Sequence, residues 1–559
     1  MFLKRTLWVA LCGIWLLAVC PIQALADGAV PDAADAVTVT LSGGGVLADG
    51  QAVPEDDPSA AVYTAHDIVY YEAGRDFTYG ECTAADEHTA EEAAEHTVVH
   101  IAQPGVYVLQ GVLEKGQIAV DLGQDAKEDP DAVVTLVLDG MDVTCTVAPA
   151  VIIYNVYECD PEGASGIEPD LSGAGARVLI ADGSENNVNG SYVARIYKSY
   201  TLNEDGTAVA DSKKLHKYDG AFYSKMSMLV TGGPESTGVL NITAENEGLD
   251  TEMHLTVDGG NINIRSGNDG INVNEDDLSV VTVNGGALSI VVTGGTGEGD
   301  GIDSNGALVI NSGTVVAQAC SRSADSGLDA SAGIYLNGGM VIAAGSMLDP
   351  VTPSDQCCAV FSCAQPQPAG TRYALTDAEG SELMAFTPEN SYSILLMTSP
   401  ALEEDTAYSL TADGTVLPVA AADPMGAMGG PAAPGGQGQA PEPPEGAAQG
   451  QPPELPEGAE QGQAPEPPEG AEQGQAPEPP EGAQGQPPEP PEGAAQGQPP
   501  EPPEGAAQGQ PPELPEGAEQ GQPPELLEGA EQGQQAPSGT SAEAGDSFTL
   551  SPGLNHFSL

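Results

Sequence analysis

Acidic and amide side chains recur at fixed positions between residues 246 and 346. Four segments, which we call the Gly-Ile-Asp segments and expect to form turns, share the pattern acidic or polar, glycine, isoleucine or leucine, aspartate or asparagine: Glu247–Asp250, Asp269–Asn272, Asp300–Asp303 and Ser326–Asp329. If equivalent segments stack, their carboxylates repel by about 1 kcal/mol per pair even at the dielectric of water. Such carboxylates must turn outward, bind protons or share a cation.

Calcium suits the last of these options, because it takes about 6–8 oxygen ligands from Asp, Glu, Asn and backbone carbonyls in flexible geometry. The second segment is followed by an insert that concentrates more such oxygens. A solvated acidic face is the alternative. The sequence predicts at least one calcium site, with ligands among Glu247, Asp250, Asp269, Asn272, Asn274, Asp276, Asp277, Asp300, Asp303, Asp325 and Asp329.

A second pattern, apolar–Asp/Asn–Gly/Ser–Gly, gives the spacing of the repeat. Its apolar members are separated by 26, 27 and 26 residues: Val257, Val283, Ile310 and Leu336. A period of this size is typical of supersecondary units that bury a core only by stacking. The residues that follow them would form a ladder of side chains at one corner, which we interpret as structural: Asp258, Asn284, Asn311 and Asn337.

Short runs within each repeat alternate with period 2 and are separated by Gly or Asn corners. This pattern predicts two or three strands per repeat, each pairing in parallel with its counterpart about 4.8 Å away. Parallel crossovers are overwhelmingly right-handed. The predicted fold is all-β, a right-handed parallel β-helix with coils of about 26 residues. A β-sandwich is the alternative, but it does not require a fixed period.

The charge balance restricts the classes of partner. The 559 residues include 15 Lys and Arg against 83 Asp and Glu, a net charge of −68. Nucleic acid and anionic membranes are disfavoured, because phosphate binding needs clustered basic residues. The charge suits an extracellular protein that handles divalent cations.

Composition divides the chain into four parts. Residues 1–26 are expected to be a secretory signal peptide, with a basic start, an apolar run and a small-residue cleavage site. Residues 27–60 are expected to be a linker, and residues 61–422 a β-helix domain with a cap over 371–418. A helix is expected only between Ala84 and His96. No segment of the mature chain is long and apolar enough to span a membrane.

Residues 423–559 are rich in Pro, Glu and Gly and contain near-copies of a 12-residue unit. Such a segment cannot bury enough apolar surface to offset its ordering entropy, so a disordered tail is predicted. Elsewhere, Cys357, Cys358 and Cys363 are close enough to form a local disulfide, and isolated buried thiols are the alternative.

An ordered set of motifs between Val98 and Leu417 resembles a family of secreted bacterial proteins. The motifs are Gly105–Gly111, Val137–Met141, Asp219–Lys225 and the two repeat patterns. The chain resembles the carbohydrate-binding domain-containing proteins of the clostridial β-helix type. The resemblance implies a right-handed β-helix similar to pectate lyases, bound calcium, and binding of plant polysaccharides including acidic ones. Met226–Met228 departs from the family where acidic residues are expected, which puts a calcium site at that coil in doubt.

Three classes of function remain open. A lyase of the pectate-lyase type needs a Lys or Arg as base, and between Met226 and the tail only Arg265, Arg322 and Arg372 occur. Arg322 is the best candidate, with a surface ion pair as its alternative. Binding needs less, so we expect a secreted, calcium-assisted binder of acidic polysaccharide, with cell-wall material as a further partner. A non-catalytic surface or adhesive protein is the third class.

Overall fold

The computed structural model describes residues 36–81, 83, 85–203, 205–352, 354–422 and 545–559. Strands dominate this part of the chain, which contains one short α-helix, Ala90–Ala94, and the 3-10 segments Gln124–Glu128 and Leu171–Gly173. The helix begins with a capping box between Thr89 and Glu92 and lies inside the predicted helical segment. None of the helices in the described ranges is long and apolar enough to cross a bilayer.

Nine strands form what we call the side sheet. Adjacent strands of this sheet pair in parallel, except for the first two in the chain, which pair antiparallel. In chain order the strands are Val62–Ala65, Thr97–Ile101, Gly116–Asp121, Val151–Asn155, Gly220–Ser224, Glu247–Thr251, Ile271–Val273, Ile302–Ser304 and Leu328–Ala330.

A second sheet of 22 strands supplies the other walls of the stack. Its strands are Val37–Leu41, Leu47–Ala48, Gln51–Ala52, Gly105–Leu113, Val134–Cys145, Ala176–Ile180, Glu185–Gly190, Met228–Gly232, Val239–Ala244, Leu255–Val257, Asn261–Ser266, Val280–Val283, Ala287–Val292, Ala307–Ile310, Thr314–Gln318, Ile334–Leu336, Met340–Gly345, Val351–Thr352, Cys357–Gln367, Tyr392–Thr398, Ala420–Ala421 and Gly553–Ser558.

The repeat residues pair as the spacing predicts. Val257 lies opposite Val283, Val283 opposite Ile310, and Ile310 opposite Leu336 in parallel registers. Nearly all-β content with long parallel sheets is the architecture of a β-helix-like stack. The polar ladder is confirmed, because Nδ2 of each asparagine donates to the side chain one repeat earlier at 2.8–2.9 Å.

The expectation that the Gly-Ile-Asp segments form turns is wrong. Glu247–Asp250 lies wholly in a strand of the side sheet, and the last two residues of each other segment lie in such a strand. Leu249 and Ile271 are buried in the core. The aspartate or asparagine after each points to the opposite face, as strand alternation requires. Glycine is needed before them, because a Cβ on Gly270 would lie 2.5 Å from the Gly301 carbonyl oxygen.

An antiparallel cap closes the last layer, as predicted. Tyr392–Thr398 pairs antiparallel with Met340–Gly345 at the end of the stack. Beside it lies a five-stranded sheet of Tyr373–Asp377, Glu382–Phe386, Ala407–Ala412, Thr415–Val416 and Phe548–Thr549. A separate two-stranded hairpin, Tyr197–Leu202 with Val209–Lys214, interrupts the irregular region before the regular repeats.

Both predicted domain boundaries need correction. Val37–Leu41 pairs in parallel with Gly105–Leu113, so the predicted linker is wrong from residue 37 onward. The tail prediction is wrong for residues 545–559, because Gly553–Ser558 pairs in parallel with Cys357–Gln367. Two apolar side chains of residues 545–559, Phe548 and Phe557, complete the core of the cap. The signal peptide and tail residues 423–544 lie outside the described residues.

The described cysteines are all free thiols, including Cys357, Cys358 and Cys363. For these three residues the structure therefore supports free thiols and not a local disulfide.

Candidate functional site

The side sheet brings four predicted ligands into one row. In its parallel registers Asp250 lies opposite Asn272, Asn272 opposite Asp303, and Asp303 opposite Asp329. Their side chains share the face opposite the core, because each follows a core residue on its strand. The stacking that the sequence predicted for these residues is confirmed.

The two most buried members of this row, Asp250 and Asn272, form a group with Glu247 and Asn274 that we call the acidic cluster. The side-chain amide of Asn272 donates from Nδ2 to Glu247 Oε1 at 3.0 Å. Asn274 Nδ2 donates to Asp250 Oδ1 at 2.5 Å. Asp250 is 0% exposed and the other three are at most 7% exposed. Two carboxylates are thus enclosed with only two side-chain donors.

Three oxygens of the acidic cluster are buried without a hydrogen-bond partner: Glu247 Oε2, Asp250 Oδ2 and Asn272 Oδ1. Burial, and then the charges of neighbouring carboxylates, raises the pKa of both Glu247 and Asp250 well above the ordinary range. Buried acceptors without donors are costly. The cluster can relieve this cost by binding a proton or a cation.

A second row links acidic side chains to the next strand. Asp269 Oδ1 accepts the backbone N–H of Asp300 at 2.7 Å, and Asp300 Oδ1 accepts that of Ser326 at 2.5 Å. Burial raises the pKa of Asp269 to about 7 and that of Asp300 to about 9. These two ligand candidates therefore already have a structural role.

The two remaining members of the first row are less buried. Burial raises the pKa of Asp303 to about 6, and the charge of Asp349 adds to the shift. Burial raises the pKa of Asp329 to about 8, with a hydrogen bond to Asp349 as the next cause. Asp349 was not singled out in the sequence, because it lies beyond the last regular repeat.

Three further candidates lie apart from both the acidic cluster and the two rows. Asp276 and Asp277 are exposed, and Asp276 Oδ1 accepts from Asn305 Nδ2 at 3.3 Å. Asp325 Oδ2 accepts the Gly299 backbone N–H at 2.9 Å. Only Asn274 of the predicted insert reaches the buried group.

The donor chemistry of the acidic cluster suits a hard cation. Carboxylate and amide oxygens are the ligands that calcium prefers. Two carboxylates are fewer than most dedicated sites use. Among the described residues, no group of three or more His, Cys, Asp or Glu side chains is arranged to hold a metal ion. A cation here would need backbone carbonyls or water to complete its coordination.

A small cavity of about 210 Å³ borders the cluster at Glu247. Arg195 lies on its wall and donates from Nη2 to Asp219 Oδ2 at 3.0 Å, while its buried Nε has no partner. The positive charge of Arg195 also opposes the rise in the pKa of Glu247. Arg195 was not among the predicted site residues, because it lies in the irregular region before the repeats.

Arg322 is not placed as a catalytic base. Its Nη1 donates to the backbone carbonyl of Gly294 at 2.7 Å, and the residue is exposed. Nor does it form the predicted surface ion pair within the described part of the chain. Arg265 and Arg372 do form such pairs, with Glu389 and Glu382.

The stack, its ordered motifs and the acidic row can be compared with known proteins. Residues 95–357 match the family of carbohydrate-binding domain-containing proteins. The resemblance seen in the sequence is thereby confirmed. The matched range contains the acidic cluster and most of the side sheet.

A relative from Acetivibrio thermocellus with the same description is 27% identical over 169 residues, which is 30% of this chain and 45% of that protein. This match therefore spans less than half of the relative's length. A solved structure, described as a polysaccharide lyase-like protein from C. thermocellum in a gadolinium derivative, is 20% identical with a TM-score of 0.30. That likeness covers 55% of this chain and 93% of the other.

Proposed function

We propose that this chain is a secreted right-handed parallel β-helix that binds acidic polysaccharide with the assistance of calcium. The family match supports binding of polysaccharide in general. The net charge of −68 supports the role of a cation, because an acidic glycan would otherwise be repelled by the protein.

One observation carries the calcium part of the proposal, namely the three buried oxygens without donors in the acidic cluster. Glu247, Asp250 and Asn272 would hold the ion. Asn272 turns its Nδ2 toward Glu247, which leaves its own Oδ1 free as a ligand. Bound calcium supplies positive charge that neutralises these carboxylates.

The test compares full-length protein with the double variant Glu247→Gln/Asp250→Asn. The control is Asp258→Asn, which removes one charge from the exposed corner ladder, where the other three members are already asparagine. Thermal unfolding is measured at pH 8 in EDTA and in calcium. Retention on immobilised polygalacturonate is measured under the same conditions.

Calcium is expected to stabilise the wild type and the control by about 2.7 kcal/mol at a concentration 100-fold above the dissociation constant. The double variant should lose this gain and its calcium-dependent retention. If calcium stabilises the double variant as much as it stabilises wild type, the acidic cluster is not the calcium site. If EDTA does not change the retention of wild type, calcium assistance is refuted. If the protein releases unsaturated products from the polygalacturonate, its function is that of a lyase and not of a binding protein.

A further inference from the structure

A larger cavity, of about 710 Å³, opens where several middle strands of the side sheet have their C-terminal ends. Its volume lies within the range of about 300–1,000 Å³ that is usual for small-molecule sites. We call it the lysine pocket, because Lys127, Lys214, Lys217 and Lys225 line it. The whole chain has only 15 Lys and Arg, and four of its lysines line this one cavity together with four glutamates.

Three of these ammonium groups are free to meet a ligand. Lys214 pairs with Glu81 at 2.9 Å, whereas Lys127, Lys217 and Lys225 form no ion pair with described residues. Burial, and then the charge of Lys225, lowers the pKa of Lys127. Lys127 and Lys225 are therefore close enough to repel each other, while Glu158 offsets part of that repulsion. An anion beside these ammonium groups, which lack an ion-pair partner among the described residues, would relieve the rest.

Aromatic rings supply flat apolar surface in the same pocket. His216 and Tyr218 stack with their ring centroids 4.2 Å apart and their planes 11° apart. Tyr157 and Tyr223 also line the pocket. Because no tryptophan follows Trp15, stacking against a sugar ring must use such tyrosines.

His216 gives an independent sign of a ligand. It is only 9% exposed and lines the pocket, yet neither of its ring nitrogens has a hydrogen-bond partner. Burial lowers the pKa of His216 to about 4. A neutral imidazole offers one donor and one acceptor, which matches a hydroxyl group that both gives and receives a proton.

Glutamates in the wall limit what the anion can be. Glu158 accepts hydrogen bonds from the backbone N–H and the hydroxyl of Ser227, both at 2.7 Å, and Glu252 accepts from Tyr223 at 2.8 Å. Glu128 and Glu275 add exposed carboxylates to the rim. This mixture opposes a unit with several negative charges but suits a unit with one anionic group and several hydroxyls.

We propose that the lysine pocket binds a uronate unit of the polysaccharide directly, without calcium. Lys217 and Lys225 contact the sugar carboxylate, His216 contacts a hydroxyl, and the tyrosine rings cover a face of the sugar. The inference rests on the proposed polysaccharide binding but not on its calcium part. The two sites would bind the same chain by opposite means, one through a metal ion and one through ammonium groups.

The test is calorimetric titration of the full-length protein in EDTA with trigalacturonate and with its methyl ester. The variant is Lys217→Gln/Lys225→Gln. The control is Lys213→Gln, which removes charge from the adjacent hairpin strand Val209–Lys214 at an exposed position that does not line the pocket. A third variant, His216→Phe, keeps the stacking surface and removes both ring nitrogens.

The acid should bind at least tenfold more tightly than the ester, as expected for the loss of one charge-assisted contact. The double lysine variant should lose at least tenfold in affinity for the acid, and the control should stay within twofold. His216→Phe should weaken acid and ester alike. Equal affinity for acid and ester, or no effect of the two lysines, would overturn the inference.

The two proposals fail separately. If binding in EDTA is absent and appears only with calcium, the lysine pocket is refuted and calcium assistance stands. If binding in EDTA depends on the two lysines and calcium adds nothing, the lysine pocket stands and calcium assistance is refuted.

Discussion

Replacing Asp303 by asparagine should change how stability depends on pH. Burial raises the pKa of Asp303 from 3.8 to about 6. A carboxyl group whose pKa is raised on folding binds protons more tightly in the folded state. The stability it contributes is therefore complete below pH 3.8 and is lost as the pH rises through about 6.

The size of the effect follows from the shift. A difference of about two units at about 1.36 kcal/mol each gives roughly 3 kcal/mol as an upper limit. Because Asp303 is partly exposed, solvent screening reduces this to about 1–3 kcal/mol. Asparagine has nearly the same shape and carries no charge, and Asn272 already occupies the equivalent position one strand earlier.

The assay is urea unfolding of wild type and Asp303→Asn in EDTA at pH 4 and pH 8, followed by circular dichroism. The variant should be about 1–3 kcal/mol more stable than wild type at pH 8 and nearly equal to it at pH 4. Asp258→Asn, at the exposed corner, is the matched control, because it removes a carboxylate that is not buried. If Asp303→Asn destabilises at pH 8, or acts equally at both pH values, the burial argument is wrong.

Two further predictions concern the stack and its cap. Gly270→Ala should destabilise the protein by about 1–3 kcal/mol in urea unfolding, because the new Cβ meets Ile290 and the Gly301 carbonyl. The control is Gly43→Ala, which should be near neutral because there is open space around Gly43. Equal effects of the two substitutions would contradict the packing argument. Phe557→Ala should cost about 3–5 kcal/mol by the same assay, because the ring is 5% exposed and packs on Phe361 and Phe548. The control is Phe77→Ala, whose ring is 49% exposed, and a Phe557→Ala cost no larger than that of the control would mean that residues 545–559 do not support the cap.

Local patterns predicted much of the fold because each repeat contains, in its own short sequence, the strands and corners of one coil. The spacing of Val257, Val283 and Ile310 fixed the pairing register, and the amide ladder followed from the same period. The Gly-Ile-Asp segments were assigned to turns because glycine usually marks a turn. Here glycine is required for close packing against the neighbouring strand.

The ends of the domain could not be predicted in this way. Residues 545–559 have no repeat, and their pairing partner, Cys357–Gln367, lies almost 200 positions earlier, with Cys358 opposite Leu554. Likewise, Val37–Leu41 pairs with a strand nearly 70 residues later. Contacts between such distant segments leave no periodic signal in the sequence.

For the candidate sites, the repeat spacing was enough to predict which oxygen-bearing side chains stack, because a period of 26 or 27 residues places equivalent positions opposite each other. Which of these side chains are buried without donors could be seen only in the folded protein, since burial depends on surrounding segments that the repeat does not include. The lysine pocket depends still more on the fold. Lys127, Lys217 and Lys225 come from different segments of an irregular region, and only the closed stack brings their charges to one surface.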